Sequence, residues 1–225
     1  MYLAPLYPTL YKVLQPAFPR CLWSGNPEIP QIALTFDDGP HPQYTPELLE
    51  VLDHYGILAS FFLLGDCVHR NPAIVKLACE QGHWIGLHGY THRPYPCFPV
   101  PAFKQSLAQA QFEIAQACQL AAHQVRDVRP PYGLLTPQIL KQLHQWHYRP
   151  VMWSVVPEDW CSPGEAVVVQ RVLRQVASGS LIVLHDGSAG GQDVAKITRQ
   201  LIPILLDRGY EFVTVNQLWA NPGMA

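Results

Sequence analysis

Residues 35–41 read Thr-Phe-Asp-Asp-Gly-Pro-His and place two adjacent carboxylates, Asp37 and Asp38, directly after a run of apolar residues. Two carboxylates this close together are costly to ionise unless a cation neutralises them. Because neighbouring side chains on an extended backbone point in different directions, one aspartate can bind a metal ion while the other stays free as a base. These residues by themselves leave an ordinary surface turn as the alternative.

A second apolar run leads into residues 88–92, which read His-Gly-Tyr-Thr-His. Two histidines four residues apart lie on one face of a helical turn and can chelate one ion. A lone histidine is usually structural, but His88 and His92 together with Asp38 supply two nitrogens and one oxygen. Three protein ligands leave an open position for water, which is the pattern of a catalytic zinc site.

Three more polar groups follow apolar runs farther along the chain. Arg129 precedes two prolines and can hold a carboxylate through two hydrogen bonds, although Arg-Pro-Pro also occurs in plain loops. Asp159 and Trp160 form a further pair. His185 follows four apolar residues, and a carboxylate partner would raise its pKa and suit it to act as an acid near neutral pH. A structural histidine is the alternative.

The elements that must position these groups are indicated by short, continuous apolar runs, which are typical of parallel strands buried on both faces. These predicted strands are 32–36, 59–64, 84–87, 125–128, 151–156, 181–184 and 212–215. Helical patterns alternate with them, and four starts are predicted where a capping residue precedes a proline. The starts are Thr45-Pro46, Asn71-Pro72, Thr136-Pro137 and Ser162-Pro163, the last with Glu165 as a capping box.

Strand–helix alternation predicts a single α/β domain with a mostly parallel sheet. A seven- or eight-stranded barrel is the natural closure at this length, and an open doubly wound sheet is the alternative. Longer helices are predicted over 103–120 and over 193–208, the latter kinked at Pro203. In either architecture ligands bind at the carboxyl ends of the strands, where five polar clusters converge.

Composition excludes several classes of protein. The 225 residues suffice for one large domain, and 48% apolar with 14% charged residues excludes a disordered chain. A net charge of −2 removes the usual electrostatic driving force for binding nucleic acid. No apolar run reaches the ~18 residues of a membrane span. The six cysteines form no C-x-x-C pair. We expect most of them to be small buried hydrophobic residues, and one or two disulfides among them are the alternative.

The first residues predict an N-terminal arm, residues 1–28, before a catalytic domain at 29–220 and a short tail at 221–225. Prolines at positions 5, 8, 16 and 19 argue against a long helix in the arm. It lacks a basic stretch followed by an unbroken apolar one and is therefore a poor signal peptide. The arm either packs on the main domain or is the remnant of a membrane-proximal segment, and cellular location stays open.

With these motifs in this order, the sequence resembles the polysaccharide deacetylase family, the NodB-homology domain of carbohydrate esterase family 4, over about residues 29–220. The resemblance implies a distorted barrel of about seven strands. It also implies hydrolysis of acetyl groups from the amino sugars of a polysaccharide or oligosaccharide, or from O-acetyl groups in a minority of members. One divalent metal ion is implied, usually zinc, with cobalt or another divalent ion as alternatives.

The resemblance also implies a role for each motif residue. Asp38, His88 and His92 would bind the metal. Asp37 would be the general base, paired with Arg129, and His185 would be the general acid, oriented by Asp159. Trp160 and Val183 would line a pocket for the acetyl methyl group, and a backbone N–H near Tyr132 would bind the oxyanion. Substrate contact is thereby expected at Tyr132, Trp160 and Val183.

Two positions depart from the family pattern. Gly89 replaces the serine or threonine that pins the metal-binding loop, for which Thr91 is a candidate substitute, and Val156 replaces an aspartate that often opens the fourth motif. Three readings follow: an N-deacetylase, an O-acetyl esterase or small-amide hydrolase on the same site, and a non-catalytic carbohydrate-binding relative. Trp146 and Trp153 are candidates for a substrate groove or for the core, and the core is favoured.

Overall fold

A curled sheet of seven parallel strands forms the centre of the computed structural model, which describes residues 6–220. The strands are β1 (Gln31–Asp37), β2 (Ser60–Leu63), β3 (Trp84–Leu87), β4 (Asp127–Val128), β5 (Arg149–Pro150), β6 (Leu181–His185) and β7 (Glu211–Phe212). Their order is β5-β4-β3-β2-β1-β6, and β7 pairs with the start of β1. The longest strands, β1 and β6, are buried along almost their whole length, as continuous apolar runs predict.

The two edges of the sheet curl toward each other. Beyond β5 the chain crosses over, and Val155 pairs in parallel with Ile182 of β6. The backbone N–H of Val183 donates to the carbonyl oxygen of Val155 at 3.1 Å. The predicted distorted barrel is therefore confirmed, and the alternative of an open doubly wound sheet is not adopted.

Helices cover the outside of the sheet. They are α1 (Tyr7–Ala17), α2 (Tyr44–Tyr55), α3 (Gly65–Arg70), α4 (Pro72–Glu80), α5 (Val100–Cys118), α6 (Pro137–Gln145), α7 (Glu165–Gln175), α8 (Gly191–Asp207) and α9 (Val215–Ala220). The apolar face of α2, for example, buries Leu48, Leu49 and Leu52 beside α8. Within residues 6–220, no helix has both the length and the apolar character that a bilayer crossing requires.

Some predicted helix boundaries are confirmed and others are wrong. Thr136 caps α6, because its hydroxyl accepts a hydrogen bond from the N–H of Ile139. Asn71 precedes α4, but its amide donates to the Cys67 carbonyl oxygen instead of capping the helix. Ser162 adopts a left-handed conformation three residues before α7 begins, so the predicted capping box is wrong. Thr45 lies inside α2, where its hydroxyl serves a buried carboxylate described below.

The longer helices and two strands also differ in extent from their predictions. Helix α5 starts at Val100, before the predicted position 103, and α8 accommodates Pro203 inside its length. The predicted strand 151–156 is wrong as a continuous strand, because these residues leave β5 and make only isolated bridges as the sheet curls. The predicted strand 212–215 ends at Phe212, and Val215 begins α9.

The cysteines differ from their expected role as buried hydrophobes. Cys79 and Cys118 form a disulfide that joins α4 to α5. Of the four free thiols only Cys21 is buried, whereas Cys97 and Cys161 are exposed. The prediction that most of the six are core residues is therefore wrong. Of the predicted domain boundaries, the tail at 221–225 lies outside the described residues.

Asp127 is a buried hub that joins three elements at one face of the sheet. One carboxylate oxygen accepts hydrogen bonds from Trp84 Nε1 at 2.6 Å and Arg149 Nη2 at 2.7 Å. The other accepts from Arg149 Nε at 2.8 Å and Trp219 Nε1 at 3.0 Å. Four N–H donors converge on a side chain that is fully buried, and of these Arg149 Nη2 also donates to Asn216 Oδ1 at 3.2 Å.

We expect Asp127→Asn to lower the free energy of unfolding by about 3–5 kcal/mol, because the new amide group faces donors and leaves the Arg149 charge uncompensated. Denaturant titration followed by circular dichroism measures the change. The matched control is Asp207→Asn at an exposed position, which we expect to stay within about 0.5 kcal/mol of the unmodified chain. An equal loss of unfolding free energy in the two variants would contradict the role of Asp127 as a buried hub.

Candidate functional site

Three metal-ligating side chains converge at the carboxyl ends of β1 and β3. Asp38 Oδ1 lies 3.4 Å from Nε2 of His88 and 3.4 Å from Nε2 of His92. His88 Nδ1 is 2.7 Å from the Arg129 carbonyl oxygen. This contact requires that Nδ1 carry the proton and donate it, which leaves the lone pair of His88 Nε2 facing Asp38.

The triad has the chemistry and the geometry of a divalent metal site. Its three ligand atoms lie within 4.8 Å of one another. Asp38 Oδ1 is buried and has no hydrogen-bond donor among the described residues, which is costly unless a cation satisfies it. Burial lowers the pKa of His88 to about 3, so its imidazole is neutral, as a metal ligand must be.

The loop that carries the two histidines is held by its backbone. Gly89 has a φ of +95°, and a Cβ there would lie 3.1 Å from the Thr91 carbonyl oxygen. The carbonyl oxygen of Gly89 accepts a hydrogen bond from the N–H of Gly65, the first residue of α3, at 2.9 Å. Thr91 itself is exposed. The loop thus has an anchor on α3 although it lacks the hydroxyl of the family pattern.

Asp37 lines the same cavity as the triad and forms a buried ion pair with Arg129. Arg129 Nη1 donates to Asp37 Oδ1 at 2.6 Å, and the Arg129 side chain is completely buried. The guanidinium also donates to Thr35 Oγ1 at 2.7 Å and to the Met152 carbonyl oxygen at 2.9 Å, and it lies over the Phe62 ring at 4.1 Å. Burial raises the pKa of Asp37, and the Arg129 charge opposes this shift.

His185 forms a second charged pair with Asp159 at the end of β6. Asp159 Oδ1 lies 2.9 Å from His185 Nδ1, and its other oxygen accepts the backbone N–H of His185 at 2.7 Å. Burial lowers the pKa of His185, but the Asp159 carboxylate, together with the smaller effects of the Asp37 and Asp38 charges, outweighs burial and raises the pKa to about 9. The protonated imidazole therefore stabilises the fold fully below the ordinary pKa of 6.5, and this contribution is lost as the pH rises through about 9.

A cavity of about 420 Å³ joins these groups. It is lined by Asp37, Asp38, His88, His92, Pro130, Tyr132, Gly133, Trp153, Val156, Trp160, Val183, His185 and Ala189. Arg129 and Asp159 stand behind it, in contact with Asp37 and His185. The structure thus brings all ten predicted site residues together around one opening.

The three predicted substrate contacts occupy different parts of the cavity wall. Tyr132 is 63% exposed, and its ring lies 4.3 Å from that of His92, so it forms the rim beside the metal-binding triad. The Trp160 ring meets the His185 ring edge-on at 5.0 Å. Val183 is buried and, with Val156, gives this side of the cavity an apolar surface.

Sequence reasoning missed or misplaced three features of the site. Trp153, for which the core was favoured, lines the cavity, whereas Trp146 packs beside Phe103 as expected of a core residue. The Met152 carbonyl left no signal, because it acts through the backbone. Asp186 is fully buried and accepts a hydrogen bond from Thr45 at 2.6 Å; its position directly after a polar strand end was the available signal.

Asp186 adds a further carboxylate beside the site. Burial raises the pKa of Asp186 to about 7; the Thr45 hydrogen bond opposes this, and the charges of Asp38 and Asp37 reinforce it. A carboxyl group with this pKa is partly protonated near neutral pH, which limits the negative charge that accumulates next to the triad.

Comparisons with known proteins agree with this geometry. The sequence profile of the family described as polysaccharide deacetylase matches residues 24–151. The chain is 34% identical over 192 residues to a peptidoglycan-N-acetylglucosamine deacetylase of Bacillus cereus, covering 83% of this chain and 87% of the relative. It is 36% identical over 192 residues to a chitooligosaccharide deacetylase of Sinorhizobium fredii, covering 80% and 88%. The crystal structure of the Bc1960 peptidoglycan N-acetylglucosamine deacetylase superposes with a TM-score of 0.83 at 28% identity, covering 90% of this chain and 94% of that one.

We expect Asp159→Asn to lower the pKa of His185 by more than about 1 unit, because the largest of the charges that oppose the effect of burial is then lost. An NMR titration of the imidazole resonances in both proteins measures the difference. His83 is the internal control: burial lowers its pKa to about 4, and this value should not change. An unaltered His185 titration would show that Asp159 does not set its protonation.

Proposed function

The chain belongs to the polysaccharide deacetylase family, and we propose that it removes acetyl groups from N-acetylglucosamine units of a peptidoglycan-like or chitin-like polymer. It is a hydrolase that acts on carbon–nitrogen bonds other than peptide bonds. The observation that carries the proposal is one cavity in which an Asp-His-His triad lies between the Asp37–Arg129 pair and the His185–Asp159 pair. The substrate class follows the named activities of the two relatives.

Asp38, His88 and His92 are the residues that would hold one divalent ion, for which zinc is our first choice because two imidazoles and a carboxylate suit it. When bound, the ion supplies Lewis-acid polarisation of the acetyl carbonyl and lowers the pKa of water at the site. The protein keeps His88 Nε2 directed inward through the hydrogen bond from Nδ1 to the Arg129 carbonyl.

Asp37 acts as the general base. Its carboxylate lines the cavity beside the triad, where it can take a proton from the attacking water. Arg129 fixes its orientation through the 2.6 Å hydrogen bond and keeps it anionic. Burial raises the pKa of Asp37 and so makes the carboxylate a stronger base than a solvated one.

His185 acts as the general acid on the other side of the scissile bond. Asp159 binds Nδ1, so the Nε2 proton is free to reach the departing amine. The raised pKa, about 9, keeps the imidazole protonated at neutral pH. Without this proton the amine would be a poor leaving group. The backbone N–H at Tyr132 contributes a hydrogen bond to the oxyanion.

Trp160 and Val183 accommodate the acetyl methyl group on the apolar side of the cavity. Val156 extends the same surface, and its backbone is held by the Gln175 side chain, whose Oε1 accepts the Val156 N–H at 3.2 Å. An apolar residue at this position is therefore compatible with the site. The same groups would also hydrolyse an O-acetyl ester or a small amide, and a panel of substrates distinguishes these activities.

We expect acetate release from N-acetylglucosamine oligomers or from peptidoglycan, lost on addition of a metal chelator and recovered with added Zn²⁺. An enzymatic acetate assay, run alongside an O-acetylated xylan and a small cyclic amide, measures the preference. Binding of the oligomer without acetate release, with Zn²⁺ or Co²⁺ present, would instead indicate the non-catalytic relative.

Substitutions should separate metal binding from proton transfer. We expect Asp37→Asn and His185→Gln each to lower the rate by about 10²–10⁴-fold while the bound metal is kept. The double variant His88→Ala, His92→Ala should lose both metal and activity, as measured by elemental analysis after dialysis. His123→Ala, at an exposed position, is the control. Full activity of the double variant would refute the metal assignment.

A further inference from the structure

Residues 6–23, here called the N-terminal segment, precede the part of the chain that the family profile matches and pack against the wall of the cavity. Helix α1 contributes Tyr11 and Leu14 to an apolar cluster at this wall. The other members of that cluster are Phe18, Cys21, Trp23, Leu135, Leu140, Met152 and Trp153. Tyr11 also donates a hydrogen bond to Ser24 Oγ at 3.0 Å, which fastens the helix to the chain that follows it.

The N-terminal segment also adds its backbone to the free edge of the sheet beside β5. The N–H of Leu22 donates to the carbonyl oxygen of Pro150 at 2.9 Å, and the N–H of Met152 donates to that of Leu22 at 2.8 Å. Leu22 and Val151 form a parallel bridge. Residues 151–153, which leave the sheet as it curls, therefore obtain an ordered partner from the N-terminal segment.

These residues reach the site along two routes. The carbonyl oxygen of Met152 accepts a hydrogen bond from Arg129, which holds Asp37. Trp153 belongs both to the apolar cluster and to the cavity lining. Its ring packs directly on Gly133, where a Cβ would come within 2.6 Å of Trp153 Cζ2. Trp153 is thus in contact with the loop that carries Tyr132.

We propose that the N-terminal segment is a positioning element of the substrate groove, which fixes Trp153 and the Tyr132 loop as a wall for the sugar units. This inference rests on the proposed function. Leu14 of α1 and Trp153 both pack against the buried residues Cys21, Trp23 and Met152. Loss of the α1 contacts therefore loosens the residues that support Trp153, which must then be ordered by the substrate itself, and this weakens binding. Leu14 acts through side-chain packing, whereas the Met152 backbone that binds Arg129 is held in the sheet by Leu22, so we expect the chemical step on a small substrate to change little when this packing is lost.

Adjacent positions on α1 give a matched pair of variants. Leu14 lies in the apolar cluster, whereas Val13 is 66% exposed. Leu14→Asp and Val13→Asp add the same charge to the same helix, but only the first disrupts the apolar cluster that supports Trp153. Leu14→Ala provides a milder change if Leu14→Asp impairs folding, and Leu14→Met restores apolar volume.

The experiment measures kcat and KM on an N-acetylglucosamine hexamer and the rate on 4-nitrophenyl acetate, together with the hexamer Kd by calorimetry. For Leu14→Asp we expect KM and Kd to rise about tenfold while kcat and the ester rate change less than about twofold, because uniform binding is lost. Leu14→Ala should be intermediate, and Leu14→Met and Val13→Asp should match the unmodified chain.

Equal effects of Leu14→Asp and Val13→Asp, or a hexamer KM and Kd unchanged by Leu14→Asp and Leu14→Ala, would overturn the inference. A fall in kcat and ester rate as large as the rise in KM would also overturn it, since it would indicate general loss of structure. If the unmodified chain binds the hexamer without releasing acetate, the proposed function fails, whereas Kd still tests the N-terminal segment. If the unmodified chain does not bind the hexamer at all, the inference about the N-terminal segment is overturned.

Discussion

Buried carboxylates crowd the carboxyl ends of β1 and β6, and each requires a compensating partner. Asp37 has the Arg129 guanidinium and Asp159 has the His185 imidazole. Asp186 has a single hydroxyl donor, and burial together with neighbouring negative charge raises its pKa to about 7. Asp38 Oδ1 and Asp186 Oδ1 are both buried with no donor among the described residues, and Asp38 Oδ1 also faces Nε2 of His88 and of His92 at 3.4 Å. This imbalance of charge makes a bound cation the natural completion of the site.

The same arrangement separates the two proton-transfer groups. Asp37 and His185 end neighbouring strands in register, β1 beside β6, yet their partners differ in sign. A guanidinium keeps one group anionic, and a carboxylate keeps the other cationic. Opposite environments on adjacent strands therefore suit the two groups to the base and acid roles that we propose for them, which is how proton-transfer enzymes divide such roles.

The sequence predicted which residues meet at the site better than the extent of the elements that carry them. Each motif residue was found because polar groups directly after buried strands are costly without a purpose, as for Asp38 and His88. Residues 151–156 look like a strand, but closing the curled sheet bends them away from β5. Trp153 resembles a core residue because its type is apolar; only tertiary packing assigns it to the cavity. Contacts made by backbone atoms, such as the Met152 carbonyl, leave no residue signature.

We propose that a cation bound by Asp38, His88 and His92 completes the site. Anomalous X-ray scattering from crystals grown with zinc, recorded on both sides of the zinc absorption edge, tests this central claim most directly. We predict one strong peak about 2.0–2.2 Å from Nε2 of His88, Nε2 of His92 and a carboxylate oxygen of Asp38. Asp37 should remain paired with Arg129 and outside the coordination sphere. A peak elsewhere, or an ion-free site in which Asp38 binds protonated imidazoles directly, would contradict it.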